Sequence, residues 1–149
     1  MNDAVKPGAD TAVSGRPRRT VRTRRIAAII LLAGVVVTGL AVHGLLPDTA
    51  ATDIAGDALY AAAAYLALVV IAARLPVLAT GGIAAAWCVG VELFQLTGLP
   101  SVWGASFAPA TLVFGTVFDG RDLVVYVVTI ATLTALDWAL GFVNPARRA

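Results

Sequence analysis

Long runs of apolar residues dominate the chain, and short polar, glycine- or proline-containing segments separate them. Residues 26–46 form a run of 21 residues without a charged side chain. As a helix with a rise of about 1.5 Å per residue, that run covers about 31 Å, which matches the hydrocarbon core of a bilayer. Three later runs are comparable in length. The pattern therefore predicts four transmembrane helices, at about 26–46, 54–75, 77–97 and 122–143.

Residues 102–118 are also uncharged, but they contain Pro109. They fit a fifth span, a re-entrant segment or an interfacial helix. With four spans, ten of the eleven Lys and Arg residues lie on the side of both termini, and only Arg121 lies opposite. With five spans the division is nine against two. Because cytoplasmic segments are enriched in Lys and Arg, the count favours four spans with a cytoplasmic N-terminus.

Residues 1–25 have few large apolar side chains and seven Lys or Arg residues. This composition predicts a disordered basic tail. Its arginines directly precede an apolar run, so they are interpreted as a topology signal that also favours contact with anionic lipid. No nucleic-acid partner is expected. The predicted organisation is a cytoplasmic tail (1–25), a transmembrane domain (26–143) and a cytoplasmic C-terminal end (144–149).

The composition agrees with this organisation. Hydrophobic residues make up 59% of the chain and charged residues 13%, and the mean hydropathy is +0.85. Soluble domains have about 25% charged residues, so an ordinary soluble domain is excluded. The predicted class is an all-α polytopic transmembrane helix bundle, placed in a bacterial inner membrane with the lipid bilayer as its surroundings.

The few polar residues within the spans are predicted to meet at one depth, in the outer half of the bilayer. Asp57 and Asp122 stand near the starts of the second and fourth spans, where a carboxylate is also a typical helix cap. Glu92 and Gln95 stand late in the third span. Charged groups inside a bilayer need partners. The predicted polar binding site comprises Asp57, Tyr60, Glu92, Gln95, Arg121, Asp122 and Tyr126.

Glu92 has two interpretations. It is either a functional group, such as a proton relay, an ion ligand or a general acid, or a structural group that bonds a neighbour. The candidate neighbours are Gln95, Tyr60 and Tyr126.

The third span has two contrasting faces. Gly82, Ala86 and Gly90 recur at helical spacing and predict close packing of a neighbouring helix. The opposite face is polar and contains Glu92. We therefore expect the third span to be central and to contact protein on both faces. Asp137, near the end of the last span, is expected to rely on solvent or on Arg147.

Motifs of established chemistry are missing from the sequence. It contains no nucleophile elbow, phosphate loop or metal-binding helix motif, and it has a single histidine, His43, and a single cysteine, Cys88. No catalytic residue, cofactor or metal site is predicted. The favoured function is a non-enzymatic accessory subunit or a binder of a lipid or lipophilic molecule. The alternatives are an oligomeric proton-coupled transporter or permeation unit, and a membrane enzyme acting on a lipid-linked substrate. A second copy of the chain or another membrane protein is the expected protein partner.

Three short motifs, in order, carry a resemblance to a known family. They are Gly56-Asp57-Ala58-Leu59-Tyr60, Val91-Glu92-Leu93-Phe94-Gln95-Leu96, and Phe114-Gly115 followed by Asp122-Leu123 and Tyr126. With them the chain resembles an uncharacterised family of small bacterial membrane proteins, domain of unknown function 2809, itself distantly similar to VanZ-like proteins. The resemblance spans about residues 27–140 and implies four membrane helices, no established activity, and signature positions at Asp57, Glu92, Gln95, Asp122 and Tyr126.

This sequence departs from the family pattern at two places. The family tends to have an arginine soon after the Glu-x-x-Gln helix, but the stretch around 104–106 has none. Thr129 stands where a glycine is expected. The resemblance thus leaves Arg121 as the local candidate for a basic partner to the carboxylates.

Overall fold

Four long helices and two short ones follow one another along the chain. The structure, a computed structural model, describes residues 21–107, 109–115 and 117–141. The helices are α1 (Val21–Leu45), α2 (Ala50–Ile71), α3 (Val77–Gln95), α4 (Leu99–Ser106), α5 (Pro109–Phe114) and α6 (Gly120–Ala139). Helices α1, α2, α3 and α6 are long and apolar enough to cross a membrane. The predicted four-span helical fold is therefore confirmed, and the chain is a multi-pass membrane protein.

Helices α4 and α5 occupy the stretch whose role the sequence leaves open. At about 1.5 Å per residue they span about 12 Å and 9 Å, well short of the roughly 30 Å of a hydrocarbon core. They pack against each other and against α3. The stretch is thus a pair of short helices rather than a fifth span.

Local capping groups set the starts of α2 and α6. Thr49 and Thr52 form a capping box, each side chain bonding the other's backbone, so α2 begins at Ala50 rather than at residue 54. Asp119 accepts a hydrogen bond from the Arg121 amide at 2.8 Å and caps α6. The interpretation of Asp57 and Asp122 as caps is therefore wrong.

The described helices also end earlier than predicted. Helix α2 ends at Ile71 because residues 72–76 form the turn into α3. Helix α3 ends at Gln95, ahead of Gly98, whose φ of +70° lies in the left-handed region. Helix α6 ends at Ala139, just before Gly141 with a φ of +67°.

Helix α1 begins at Val21, five residues before the predicted boundary of the tail. This corrects the boundary, because residues 21–25 form helical turns in which Arg24 is buried. The rest of the predicted tail, residues 1–20, and the predicted C-terminal end, residues 144–149, lie outside the described residues.

The long helices alternate in direction, which brings polar residues to two opposite ends. The Glu92 end contains the C-terminal ends of α1 and α3 and the N-terminal ends of α2 and α6. The Asp137 end contains the other four helix termini. Helix α3 has the largest buried share of the four spans and α1 the smallest. Between the two ends lies the core: Ala28, Ala61, Tyr65, Leu66, Val69, Ala84, Cys88, Tyr126 and Ile130.

Helix α3 packs through one face, which combines its small and its polar residues. A Cβ at Gly81 would collide with the Thr134 side chain, so glycine there permits the close approach of α6. Ala84, Cys88 and Glu92 continue the buried line. The predicted packing stripe is instead exposed within this chain, at Gly82, Ala86 and Gly90. The expectation of protein contacts on both faces is therefore wrong for this chain by itself, although α3 is central.

Candidate functional site

The seven residues of the predicted site come from three helices and gather at the Glu92 end. Helix α2 contributes Asp57 and Tyr60, α3 contributes Glu92 and Gln95, and α6 contributes the rest. Five of the seven line a cavity of about 510 Å³ there: Asp57, Gln95, Arg121, Asp122 and Tyr126. Tyr60 and Glu92 do not line this cavity, but each contacts Tyr126, which does.

Glu92 is fully buried and bonded on both carboxylate oxygens. Its Oε1 accepts from the Tyr126 hydroxyl at 3.2 Å, and its Oε2 accepts from the Asp119 amide at 3.3 Å. Tyr126 is one of the three partners that the sequence offers, whereas a backbone amide is not recognisable from the residue types. Glu92 thereby ties the N-terminal end of α6 to α3.

Tyr60 and Gln95 hold the end of α5 in place. The Tyr60 hydroxyl donates to the Val113 carbonyl at 2.7 Å, and the Gln95 Nε2 donates to the Phe114 carbonyl at 2.9 Å. These are carbonyls of the last helical turn, which have no partner within a helix. Gly115, with a φ of +62°, then reverses the chain. A Cβ at Gly115 would collide with the Gln95 amide, so both the turn and the packing require glycine.

Tyr60 has two further contacts. Its hydroxyl accepts from the Trp87 Nε1 at 3.1 Å, and its ring lies 5.9 Å from that of Tyr126. Tyr60 thus links α2 to α3, α5 and α6.

Three buried acceptor atoms at this end have no donor within the described part of the chain. They are Asp57 Oδ2, Asp122 Oδ1 and Gln95 Oε1. Asp57 and Asp122 line the same cavity. Because a carboxylate only accepts hydrogen bonds, their atoms without partners require a proton or a donor supplied by a bound group. A buried acceptor without a donor is costly, about 1–3 kcal/mol in proteins.

His43 and Arg121 are the basic residues that line the cavity, and Arg121 lies on its rim. Its side chain is 40% exposed, and its nitrogens lie 3.6 Å from Asp119 and Asp122 oxygens and 4.0 Å from an Asp53 oxygen. Exposed pairs of this length stabilise a protein little. The carboxylates that line the cavity outnumber it: Asp48, Asp53, Asp57, Asp119 and Asp122. The cavity is therefore strongly acidic, and Arg121 is a weak partner for its carboxylates.

A comparison with known protein families shows which family this chain belongs to. The sequence model described as "Protein of unknown function (DUF2809)" matches residues 46–130, more than half of the 149. The chain belongs to the DUF2809 family. All seven residues of the predicted site fall within the matched range. The family has no assigned function, and no curated protein and no solved structure matches the chain.

A second polar cluster, which we call the Asp137 cluster, extends beyond the range that matches DUF2809, since Arg24 and Asp137 lie outside residues 46–130. It consists of Arg24, Tyr65, Thr80 and Asp137, all buried. The Arg24 Nη2 and the Tyr65 hydroxyl donate to Asp137 Oδ2 at 2.6 and 2.7 Å. The Arg24 Nη1 donates to the carbonyls of Ala73 and Leu75, each at 2.9 Å. The cluster thus joins α1, α2 and α6 at their ends, with Thr80 of α3 beside it.

This cluster was not predicted from the sequence. Asp137 was expected to rely on solvent or on Arg147, but its partner is Arg24, which lies 113 positions away in the chain. Arg147 lies outside the described residues. The sequence contained a hint of this pair, because a chain with both termini on one side of the membrane has Arg24 and Asp137 at the same depth. Arg24 was assigned to the tail and was therefore not considered as a partner for a residue within the spans.

Proposed function

We propose that this DUF2809 protein is a non-enzymatic membrane protein that binds a lipid or lipophilic molecule in the cavity at the Glu92 end. The observation that carries the proposal is the cavity itself, with three buried acceptor atoms that have no donor within the described chain. Its volume of about 510 Å³ is within the roughly 300–1,000 Å³ typical of small-molecule sites.

The cavity wall suits an amphiphile. Apolar surface from the end of α1 and from the segment before α6 lines one part of it: Gly39, Val42, Val117 and Phe118. The acidic side chains of α2 and α6 line another part. A molecule with a polar head and an apolar tail matches both parts, because its head bonds the polar side chains and its tail packs against the apolar ones.

The packing between the two ends favours binding over permeation by a single chain. A permeation path needs polar groups or water across the bilayer. The buried side chains that lie between Glu92 and the Asp137 cluster are apolar in the described chain, among them Ala84, Cys88 and Ile130. The cavity is thus a site at one end of the bundle.

Native mass spectrometry of the gently extracted protein tests this function. Gly56 lines the cavity and has open space around its Cβ position, so Gly56→Leu fills the site without a collision. Gly82→Leu is the matched control, since Gly82 is also helical, has open space and lies away from the cavity. We expect the wild type and Gly82→Leu to retain a bound lipid or lipophilic molecule and Gly56→Leu to lose it. Equal retention by all three proteins would contradict the proposal.

The proposed orientation places the N-terminus in the cytoplasm of a bacterial cell and the cavity in the outer half of the inner membrane. It rests on the ten Lys and Arg residues that four spans put on the side of the termini. Reporter fusions at Gly120 and Ala149 test it. We expect a cytoplasmic signal at Ala149 and none at Gly120, and the reverse pattern would overturn the orientation.

The proposed partners follow from the same arrangement. Anionic lipid is the proposed contact of the basic N-terminal residues, and a second copy or another membrane protein is the proposed partner of the helices. The native mass spectrum reads both directly, because it gives the mass of the extracted assembly and of retained lipid.

A further inference from the structure

Gln95 presents an acceptor atom whose identity is fixed by its partner. Its residue is 8% exposed, and it lines the cavity. The Phe114 carbonyl can only accept a hydrogen bond, so the atom facing it at 2.9 Å has to be the amide nitrogen. The other side-chain atom is therefore the carbonyl oxygen, Oε1, which has no donor in the described chain. A residue that lines the cavity thus has a buried acceptor atom that is independent of the carboxylates.

Asp57 and Asp122, which also line the cavity, have two more such acceptors. Their Oδ2 and Oδ1 atoms, respectively, are buried without donors. Arg121 brings positive charge near Asp122 but no hydrogen bond, because its nitrogens stay at 3.6 Å or more from the carboxylates they pair with.

A donor with positive charge fits both the acceptor atoms without partners and the excess of carboxylates that line the cavity. Within residues 21–107, 109–115 and 117–141, no group of His, Cys, Asp and Glu side chains is arranged to hold a metal ion. A protonated primary amine instead offers three N–H donors and one positive charge. Three N–H donors equal in number the three acceptors without partners.

We infer that the cavity at the Glu92 end binds the ammonium group of an amphiphilic primary amine, with Asp57, Asp122 and Gln95 as the acceptors. The inference rests on the proposed function and names the chemical class of its ligand. The ammonium group belongs either to the headgroup of an aminolipid or to a free alkylamine, and the two sources share the same N–H chemistry.

The test compares two cations with the same alkyl chain and charge, one with three N–H donors and one with three N-methyl groups. The full-length protein is placed in phosphatidylcholine nanodiscs, whose headgroups have no N–H, and titrated calorimetrically with hexylammonium and with hexyltrimethylammonium. Hydrogen bonds to charged groups are worth about 1.5–3 kcal/mol, which corresponds to a factor of ten to a hundred in affinity. We expect hexylammonium to bind at least about tenfold more tightly. Equal affinity for the two amines would overturn the inference.

Two aspartate variants separate the buried acceptors from general charge attraction. Asp57→Asn removes one acceptor charge deep in the cavity, and Asp53→Asn makes the same change on its rim, where the side chain is 53% exposed. We expect Asp57→Asn to lose about tenfold or more in hexylammonium affinity and Asp53→Asn to lose less than about threefold. Equal losses would show attraction by net charge alone and would overturn the inference. The amine comparison on the wild type stands whether or not a variant folds.

Titration in a second nanodisc, which contains phosphatidylethanolamine, distinguishes the two sources of the amine. Phosphatidylethanolamine in the disc competes with hexylammonium if the ligand is a headgroup and leaves its binding unchanged if the ligand is a free amine. Failure of the two proposals is distinguishable. Suppose that Gly56→Leu displaces a bound lipophilic molecule but both hexylamines bind equally. The proposed function then stands, and only the assignment of an amine as the ligand is rejected.

Discussion

The two ends of the bundle contain similar polar residues but partner them differently. At the Asp137 end, one carboxylate oxygen accepts hydrogen bonds from an arginine and a tyrosine. The same arginine also donates to two backbone carbonyls. At the Glu92 end, Asp57 Oδ2 has no donor in the described chain, and the nearest cation to Asp122 Oδ1 is Arg121, at 3.6 Å. Arg24 is 1% exposed, whereas the side chain of Arg121 is 40% exposed.

This difference separates a structural cluster from a binding site. Atoms without partners occur at both ends, since Arg24 Nε and Asp137 Oδ1 also lack one. At the Asp137 end, however, each such atom belongs to a group already bonded to the opposite charge. At the Glu92 end, the atoms without partners belong to residues of a cavity whose aspartates outnumber its basic residues. A buried ion pair holds helices in one arrangement, whereas unmatched acceptors around a cavity favour a bound donor.

Replacing Arg24 is expected to have the largest effect. Arg24→Leu leaves the Asp137 carboxylate buried without its cation, and it removes the donor to Ala73 and Leu75. Removing one partner of a buried pair costs about 3–5 kcal/mol. The free energy of unfolding in detergent, followed by tryptophan fluorescence, measures the loss.

Arg25→Leu is the matched control, because Arg25 is the exposed neighbour of Arg24 on the same helix. We expect it to change the free energy of unfolding by less than about 0.5 kcal/mol. Similar losses of unfolding free energy for Arg24→Leu and Arg25→Leu would show that the Asp137 cluster has no structural role.

Glu92 offers a sharper contrast within the other end. Glu92→Leu leaves the Tyr126 hydroxyl and the Asp119 amide without an acceptor, so we expect a loss of about 1–3 kcal/mol in unfolding free energy. Glu92→Gln keeps one acceptor oxygen, and we expect it to lose less than about 1 kcal/mol. If Glu92→Gln folds normally but abolishes a measured proton-coupled flux, the proposed binding function is rejected and the proton-coupled transporter is supported.

Gly115 tests the junction between α5 and the cavity. Gly115→Ala places a Cβ at a left-handed residue and against the Gln95 amide. Gly98→Ala has nearly the same φ, +70°, but open space around the new Cβ. We expect Gly98→Ala to cost about 1–2 kcal/mol from backbone strain and Gly115→Ala to cost more. Equal shifts of the unfolding midpoint would mean that the contact with Gln95 has no role.

The sequence predicted what depends on length and depth. Apolar runs as long as a bilayer is thick identified the four spans, and counting along those spans brought Asp57, Glu92 and Asp122 to one end. The cavity between them could not be predicted, because it depends on how the helices are rotated and on the position of α5. Rotation also separates Gly81, which packs against α6, from the exposed Gly82.

Long-range pairing and local capping account for the remaining differences. The partner of Asp137 is Arg24, at the opposite end of the described chain, and no local pattern indicates such a pair. The starts of α2 and α6 depend on Thr49 and Asp119, whose side chains bond backbone amides outside the apolar runs. Hydrophobicity alone therefore placed these starts two to four residues late.

The unfolding free energy of Asp57→Asn, with no amine added, tests the contrast between the two ends most directly. The asparagine amide donates to the Asp122 carboxylate without adding charge, so it supplies the donor that the cavity lacks. We expect Asp57→Asn to be as stable as the wild type or more stable by about 1 kcal/mol, while Asp53→Asn changes by less than about 0.5 kcal/mol. A loss of about 2 kcal/mol or more on Asp57→Asn would show that Asp57 is a structural group like Asp137, and would contradict the account.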